Sequence, residues 1–287
     1  MATIQDRSSE SSSELAVAVR QHVDKGDFEV PLLPEVARKV IELLQTPDAD
    51  AVRLARLIQG DQTLAGHVMR VANSAAYSPS STIVSLQQAI ARLGINLIGE
   101  IALAASVNGK LFNVACYETH IKKIWQHALA TALWSKEISR MCRKNVEASF
   151  LCGLLHSIGR PVVLQLIVDT AKELHCSPSH ELVLKLENEH HREVGCNVIQ
   201  CWKMPALVTE AVNYFNHYDA APQYGELAAT ITAASQLSTY QLYPDSGNEE
   251  SLKTLPALTF LNLYQDDIEK LLALNDSVQK HMESFGL

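Results

Sequence analysis

FLCGLLHSIGRP, residues 150 to 161, is an apolar helix end that carries a histidine and is interrupted at once by glycine and proline. Phe150, Leu151, Leu154 and Leu155 fall at helical spacing and bury the run. Gly159 supplies the positive φ of a helix stop, and Pro161 suits the opening turn of the next helix. His156 is therefore held at a rigid helix terminus inside a core. A histidine so placed costs free energy unless its ring nitrogens find partners, so it is either a hydrogen-bonded core residue or a ligand in a polar site.

Outward from this stretch the same spacing of three and four recurs. Before it, a long helix over about Thr119 to Met141 buries Ile121, Ile124, Trp125, Ala128, Leu129, Ala132 and Leu133. After it, helices are predicted over Pro161 to His175, Ser179 to Glu189, His191 to Cys201, Pro205 to His217 and Tyr224 to Tyr240. A polar linker around Pro244 and Gly247 follows, then a last helix over about Gln265 to Glu283.

Towards the N-terminus, Met1 to Glu14 with SSESSS at its centre reads as a disordered leader, followed by a short amphipathic helix over Leu15 to Val23. A helix from Pro34 to Leu44 is stopped by Thr46-Pro47-Asp48. A second runs from Ala51 to Gln59, Asp61 caps a third, Ser85 caps a fourth that Gly94 closes, and Asn96 caps a fifth. Asn108-Gly109 and the irregular Leu111 to Tyr117 mark a boundary. No alternating strand pattern is present, so the chain is all-α: a leader over 1–27, an N-terminal bundle of short helices over 28–115, and a second multi-helix domain over 116–287.

Composition narrows the function classes. Across 287 residues there are 24 Lys+Arg against 32 Asp+Glu, a net charge of -8, which leaves no electrostatic footprint for nucleic acid. The basic cluster Lys136, Arg140, Arg143 and Lys144 reads as a solvated helix face. Cys116, Cys142, Cys152, Cys176, Cys196 and Cys201 form no CxxC pair and read as reduced thiols. With no secretory signal and no long apolar span, the expectation is a cytoplasmic protein that does not enter a membrane.

Of the eleven histidines, His22, His67, His120, His175, His180, His190 and His281 fall at positions that read as surface or helix ends. His127, His156, His191 and His217 each lie beside apolar positions on a different predicted helix of the second domain. Imidazoles brought inward from separate helices are how helical bundles build metal centres.

Six stretches carry a family resemblance: VPLLPEVARKVIELL (residues 30–44), GDQTLAGHVMRVANSAAY (60–77), SLQQAIARLG (85–94), WQHALATA (125–132), FLCGLLHSIG (150–159) and HREVGCNVIQCWKMP (191–205). In their shared order they resemble an HDOD-domain protein, the regulatory branch of the HD superfamily of metal-dependent phosphohydrolases found in bacterial signalling. The resemblance implies an N-terminal helical bundle packed on an HD-like helical domain. It matches His127 to the superfamily's first metal histidine, His156 to the histidine of its His-Asp pair, and His191 and His217 to histidines of the bimetallic branch. The aspartate of the pair is replaced by Ser157, and the closing aspartate by Ser235.

Those replacements remove two anionic ligands from a centre that must offset a divalent ion. At an effective dielectric of ~20, each charge at ~4 Å is worth about 4 kcal/mol. Hydrolysis is therefore not expected, and no cofactor is; histidines alone could still take a softer transition ion incidentally.

The reading that follows is a non-catalytic signalling module, with signalling proteins as partners in trans, a small ligand or nucleotide as a further candidate and a homodimer as an option. The alternative is a phosphohydrolase acting on a nucleotide or cyclic dinucleotide, with Glu187, Glu189 or Glu193 brought to the metal and Arg160 meeting a phosphate. Against it, glutamates flanking a helix start complement its dipole and Arg160 reads as a surface residue.

Overall fold

The computed structural model describes residues 4–44, 46, 50–77, 82–111, 114–246 and 248–285. Among them there are sixteen α-helices, two 3-10 turns and no strand. The first six helices are α1 (Ile4–Lys25), α2 (Glu35–Leu44), α3 (Ala51–Gln59), α4 (Gln62–Ala72), α5 (Leu86–Leu93) and α6 (Ile95–Leu111). Helices α2 and α4 pack on α6, and α3 and α5 close the bundle.

The second set begins with α7 (Glu118–Met141), α8 (Val146–Leu155), α9 (Gly159–Glu173), α10 (His180–Cys201), α11 (Ala206–Tyr214) and α12 (Gly225–Leu242). Here α7 lies between α8 and α12, and α9 runs against α10. Short helices α13 (Glu249–Lys253) and α14 (Pro256–Phe260) lead to α15 (Gln265–Leu272) and α16 (Asn275–Ser284), the last of which returns to α7. One continuous apolar core runs through both sets.

Side-chain caps fix several of the helix starts. Asp61 accepts from the Leu64 amide at 3.0 Å and Ser85 from the Gln88 amide at 3.1 Å, as their sequence positions foretold. Gly94, at φ 88°, closes α5 in a conformation that favours glycine. Asn96 does not cap: α6 already begins at Ile95, and the Asn96 amide instead donates to Glu147 Oε1 at 2.6 Å, tying α6 to α8.

Several expectations are corrected. The leader is helical back to Ile4, because Leu15, Val19 and Val23, spaced by four, are buried against α9 and α10, and a nucleated helix extends cheaply. The two helices expected over residues 179–201 are one, since Val183, Leu186, His190, Val194 and Val198 form a single buried stripe through the polar His190-His191 step. Asn108-Gly109 does not break α6, and the expected last helix is two, broken around Ala273 and Leu274. Lys136 is not on a solvated face: it is buried and paired with Glu100 of α6. Pro47, Asp48 and Gly247, expected to break helices or mark the linker, lie outside the described residues.

The stretch from Val146 to Glu173 is long and apolar enough to cross a membrane by composition, but 83% of that window is buried inside the protein as α8 and α9. It is core.

Candidate functional site

Helices α7, α8, α9, α10 and α12 converge on a pocket of about 360 Å3. His127 comes from α7, His156 and Ser157 from the turn between α8 and α9, Arg160 from the first turn of α9, Glu187 and His191 from α10, and Ser235 from α12. Gly159 does not stop a helix with a positive φ; it begins α9. Its role is spatial. A Cβ there would lie 1.9 Å from the His191 carbonyl oxygen and 2.5 Å from the Gly195 nitrogen, so α9 and α10 touch backbone to backbone. That contact sets Arg160 beside Glu187 and His191.

The three imidazoles share one pattern. His156 Nδ1 donates to the Gly153 carbonyl at 2.7 Å, and His191 Nδ1 to the carbonyls of Asn188 and Glu187 at 3.1 and 3.2 Å. His127 Nε2 donates to the Ser235 carbonyl at 3.2 Å and meets Thr239 Oγ1 at 3.1 Å. A carbonyl only accepts, so each ring carries its proton on the nitrogen named and leaves the other as an acceptor. His156 packs 5.5 Å from the His127 ring and 5.4 Å from Phe215, edge to face.

Burial pushes His127 and His191 down to about 4, with Arg160 adding to the shift at both. His156 lies well below the ordinary imidazole value, through burial first and the His127 charge second. All three are neutral at neutral pH.

Glu187 is the one carboxylate lining this pocket among the described residues. Its side chain is 1% exposed and held from two sides, by Arg160 Nη1 at 2.7 Å and by His120 Nε2 at 2.6 Å. Arg160 also donates to Asn188 Oδ1 at 2.9 Å. Burial raises the carboxyl, but hydrogen bonds from His120 and Arg160 and the guanidinium charge outweigh it and leave it below the ordinary value.

His127, His156 and His191 come together with Ser157 and Ser235 in this pocket. His217 does not join them: it is exposed at the start of the 3-10 turn Tyr218–Ala220, and Asn216 lines the pocket instead. The helix α11 ends at Tyr214, which leaves His217 on the turn beyond it. Arg160 and Glu187 are not surface charges, and Glu187 lies well inside α10 rather than at a helix start.

His120, read from sequence as a surface residue, is in the pocket, and His190 is buried in the core. Glu187 stands four residues before His191, a same-face spacing that becomes readable once α10 is a single helix.

The donor set does not fit a hard divalent cation. Among the described residues no group of three or more His, Cys, Asp or Glu is placed to hold a metal ion. Ser157 and Ser235 offer neutral hydroxyls, and both Glu187 oxygens are engaged by cationic or ring N–H donors.

Comparison with known proteins agrees with this architecture. A protein of Shewanella amazonensis SB2B described as a candidate metal-dependent phosphohydrolase superposes with a TM-score of 0.72 at 20% identity, covering 96% of this chain and 99% of its own. A candidate signal transduction protein of Marinobacter aquaeolei VT8 superposes with a TM-score of 0.64 at 19% identity, over 95% of this chain and 66% of its own. At such identities these likenesses establish the HD-like all-helical fold.

An uncharacterized protein of Treponema pallidum is 21% identical over 234 residues, 78% of this chain; the chain spans 44% of that relative's length. The family model of the HDOD domain matches residues 30–218, a segment that holds both the N-terminal bundle and every histidine of the pocket. The chain belongs to the HDOD family.

Proposed function

We propose that the chain is a non-catalytic regulatory module of the HDOD type, which acts through contacts with signalling proteins in trans or with a small ligand and needs no cofactor. The observation that carries this reading is the pairing of Glu187 with Arg160 and His120. The pocket's carboxylate is committed to Arg160 and His120, and the positions that the resemblance assigns to metal-binding aspartates hold Ser157 and Ser235. An ion there would face three neutral imidazoles and two hydroxyls, with no free anion to offset its charge or ready a water. Lys123 at the rim and Arg160 inside would favour an anionic group if a small ligand enters.

The experiment is to purify the full chain, measure bound divalent metal by mass spectrometry, and assay phosphate release from nucleotides and cyclic dinucleotides with Mn or Mg added. The expected result is no stoichiometric metal and no turnover above that of His156→Ala. Turnover that His156→Ala abolishes would overturn the proposal in favour of a phosphohydrolase.

A further inference from the structure

A second cavity, of about 380 Å3, lies in the seam where α2 and α6 meet α8 and α11. Its walls are aliphatic and aromatic: Leu44 and Leu103 on one side, Phe150 and Val208 on the other. Leu103, Phe150 and Val208 are buried, so the floor is apolar. An apolar cavity of roughly 150 Å3 already takes up benzene, and this one is larger.

Two carboxylates, Glu100 and Glu147, also line it, while no lysine or arginine does among the described residues. Glu100 is buried beside Lys136, which offsets its charge. Burial, with Glu147 adding its repulsion, leaves the Glu100 carboxyl above its ordinary value despite that lysine. Glu147 is half-buried and accepts a hydrogen bond from a neutral amide, that of Asn96, at 2.6 Å. Arg140 also acts on Glu100 but is itself paired with Glu137. With one of two lining anions offset, the cavity therefore keeps about one negative charge in a largely apolar setting, where an opposite charge is bound more strongly than in water.

We propose that this seam binds a small amphipathic cation, an apolar body bearing a single ammonium group, with Glu147 facing the ammonium and the walls around Phe150 enclosing the body. A bare divalent ion is disfavoured because the aliphatic walls supply no further oxygen ligands. Since the walls come from both helical sets, occupancy ties α2 and α6 to α8 and α11. The inference does not rest on how the histidine pocket is read.

The test titrates the full chain with phenethylamine, phenethyl alcohol and phenylacetate, followed by ligand-observed NMR and calorimetry. Phenethylammonium is expected to bind about tenfold more tightly than the alcohol, the equivalent of one modest ion pair, and phenylacetate more weakly than either. Glu147→Gln should bring the amine to the level of the alcohol. Ala148→Phe, which fills the cavity from a half-buried lining position, should abolish binding of all three; Ala148→Leu repeats the test if the larger side chain unfolds the protein.

Tyr243→Ala, at the histidine pocket, should leave the amine's affinity unchanged. No saturable binding of the amine, equal affinity for amine and phenylacetate, or a loss caused by Tyr243→Ala would each overturn the proposal.

Discussion

Arg160 Nη1 lies 2.7 Å from Oε1 of Glu187, and the carboxylate it meets is 1% exposed while the arginine itself is 29% exposed. The pair is therefore asymmetric: the anion depends on its partner for solvation and the cation does not. Arg160→Ala leaves a buried carboxylate with only His120, and should destabilise the fold by about 2–4 kcal/mol. Adding Glu187→Ala should recover part of that loss. Urea denaturation of the two single variants and the double variant checks both statements, and additive losses would mean that the pair is not coupled.

Gly159 and Gly195 face each other across α9 and α10, but they are not equivalent. A Cβ on Gly159 would meet backbone at 1.9 and 2.5 Å, whereas one on Gly195 would meet nothing nearer than 3.4 Å. Gly159→Ala should cost roughly 3 kcal/mol or more, because backbone cannot swing aside as a side chain does. Gly195→Ala, inside a helix, should fall within about 1 kcal/mol of the parent. Thermal melts of the two variants give the comparison directly; similar midpoints would rule out the close approach.

Acid should weaken the fold in a defined window. The folded values for His127 and His191 are about 4 against an ordinary 6.5, and that for His156 is also well below 6.5 because the ring is buried. With folded values depressed, the unfolded chain takes up protons first, so stability is full above about pH 6.5 and falls as pH drops towards 4. The slope approaches roughly 1.4 kcal/mol per pH unit for each histidine. Glu187, also depressed, adds a loss of the same sign below its ordinary value of 4.5. Urea midpoints between pH 7 and pH 4 measure the slope; a flat profile would contradict the burial of these rings.

Restoring the missing anions should restore a metal site. In Ser157→Asp/Ser235→Asp two carboxylates enter a pocket where Ser157 is 4% exposed. Without metal they should lower the melting temperature by several degrees through desolvation and mutual repulsion, about 2 kcal/mol or more. Saturating Mn should then raise it, by about 2.7 kcal/mol at a hundredfold excess over the dissociation constant. The parent protein should show no such shift. A parent shift as large as the variant's would show that the imidazoles alone suffice.

Much of the fold was legible because local signals and packing agree. Asp61 and Ser85 cap where expected, and Ala51–Gln59 matches the spacing residue for residue. The readings that failed were those where a distant contact overrides a local signal. Gly159 looks like a helix stop until α10 is seen pressed against it. Lys136 looks solvated until Glu100 arrives from α6, and His190-His191 looks like a helix break until its stripe is followed through.

In the pocket, His127, His156 and His191 were within reach of sequence because apolar neighbours flank them. Glu187 and Arg160 stand there only as a candidate metal carboxylate and a candidate phosphate contact; the pairing of Glu187 with Arg160 and His120, across a separation of up to 67 residues, was not legible.

The first helix carries a practical consequence. Leu15, Val19 and Val23 are buried against the outer side of the same two helices that present Arg160, Glu187 and His191. The family match begins at residue 30. Trimming the chain to that limit would strip three aliphatic side chains from the back of the pocket's own supports, so here the limit of the recognisable family is not a limit of folding.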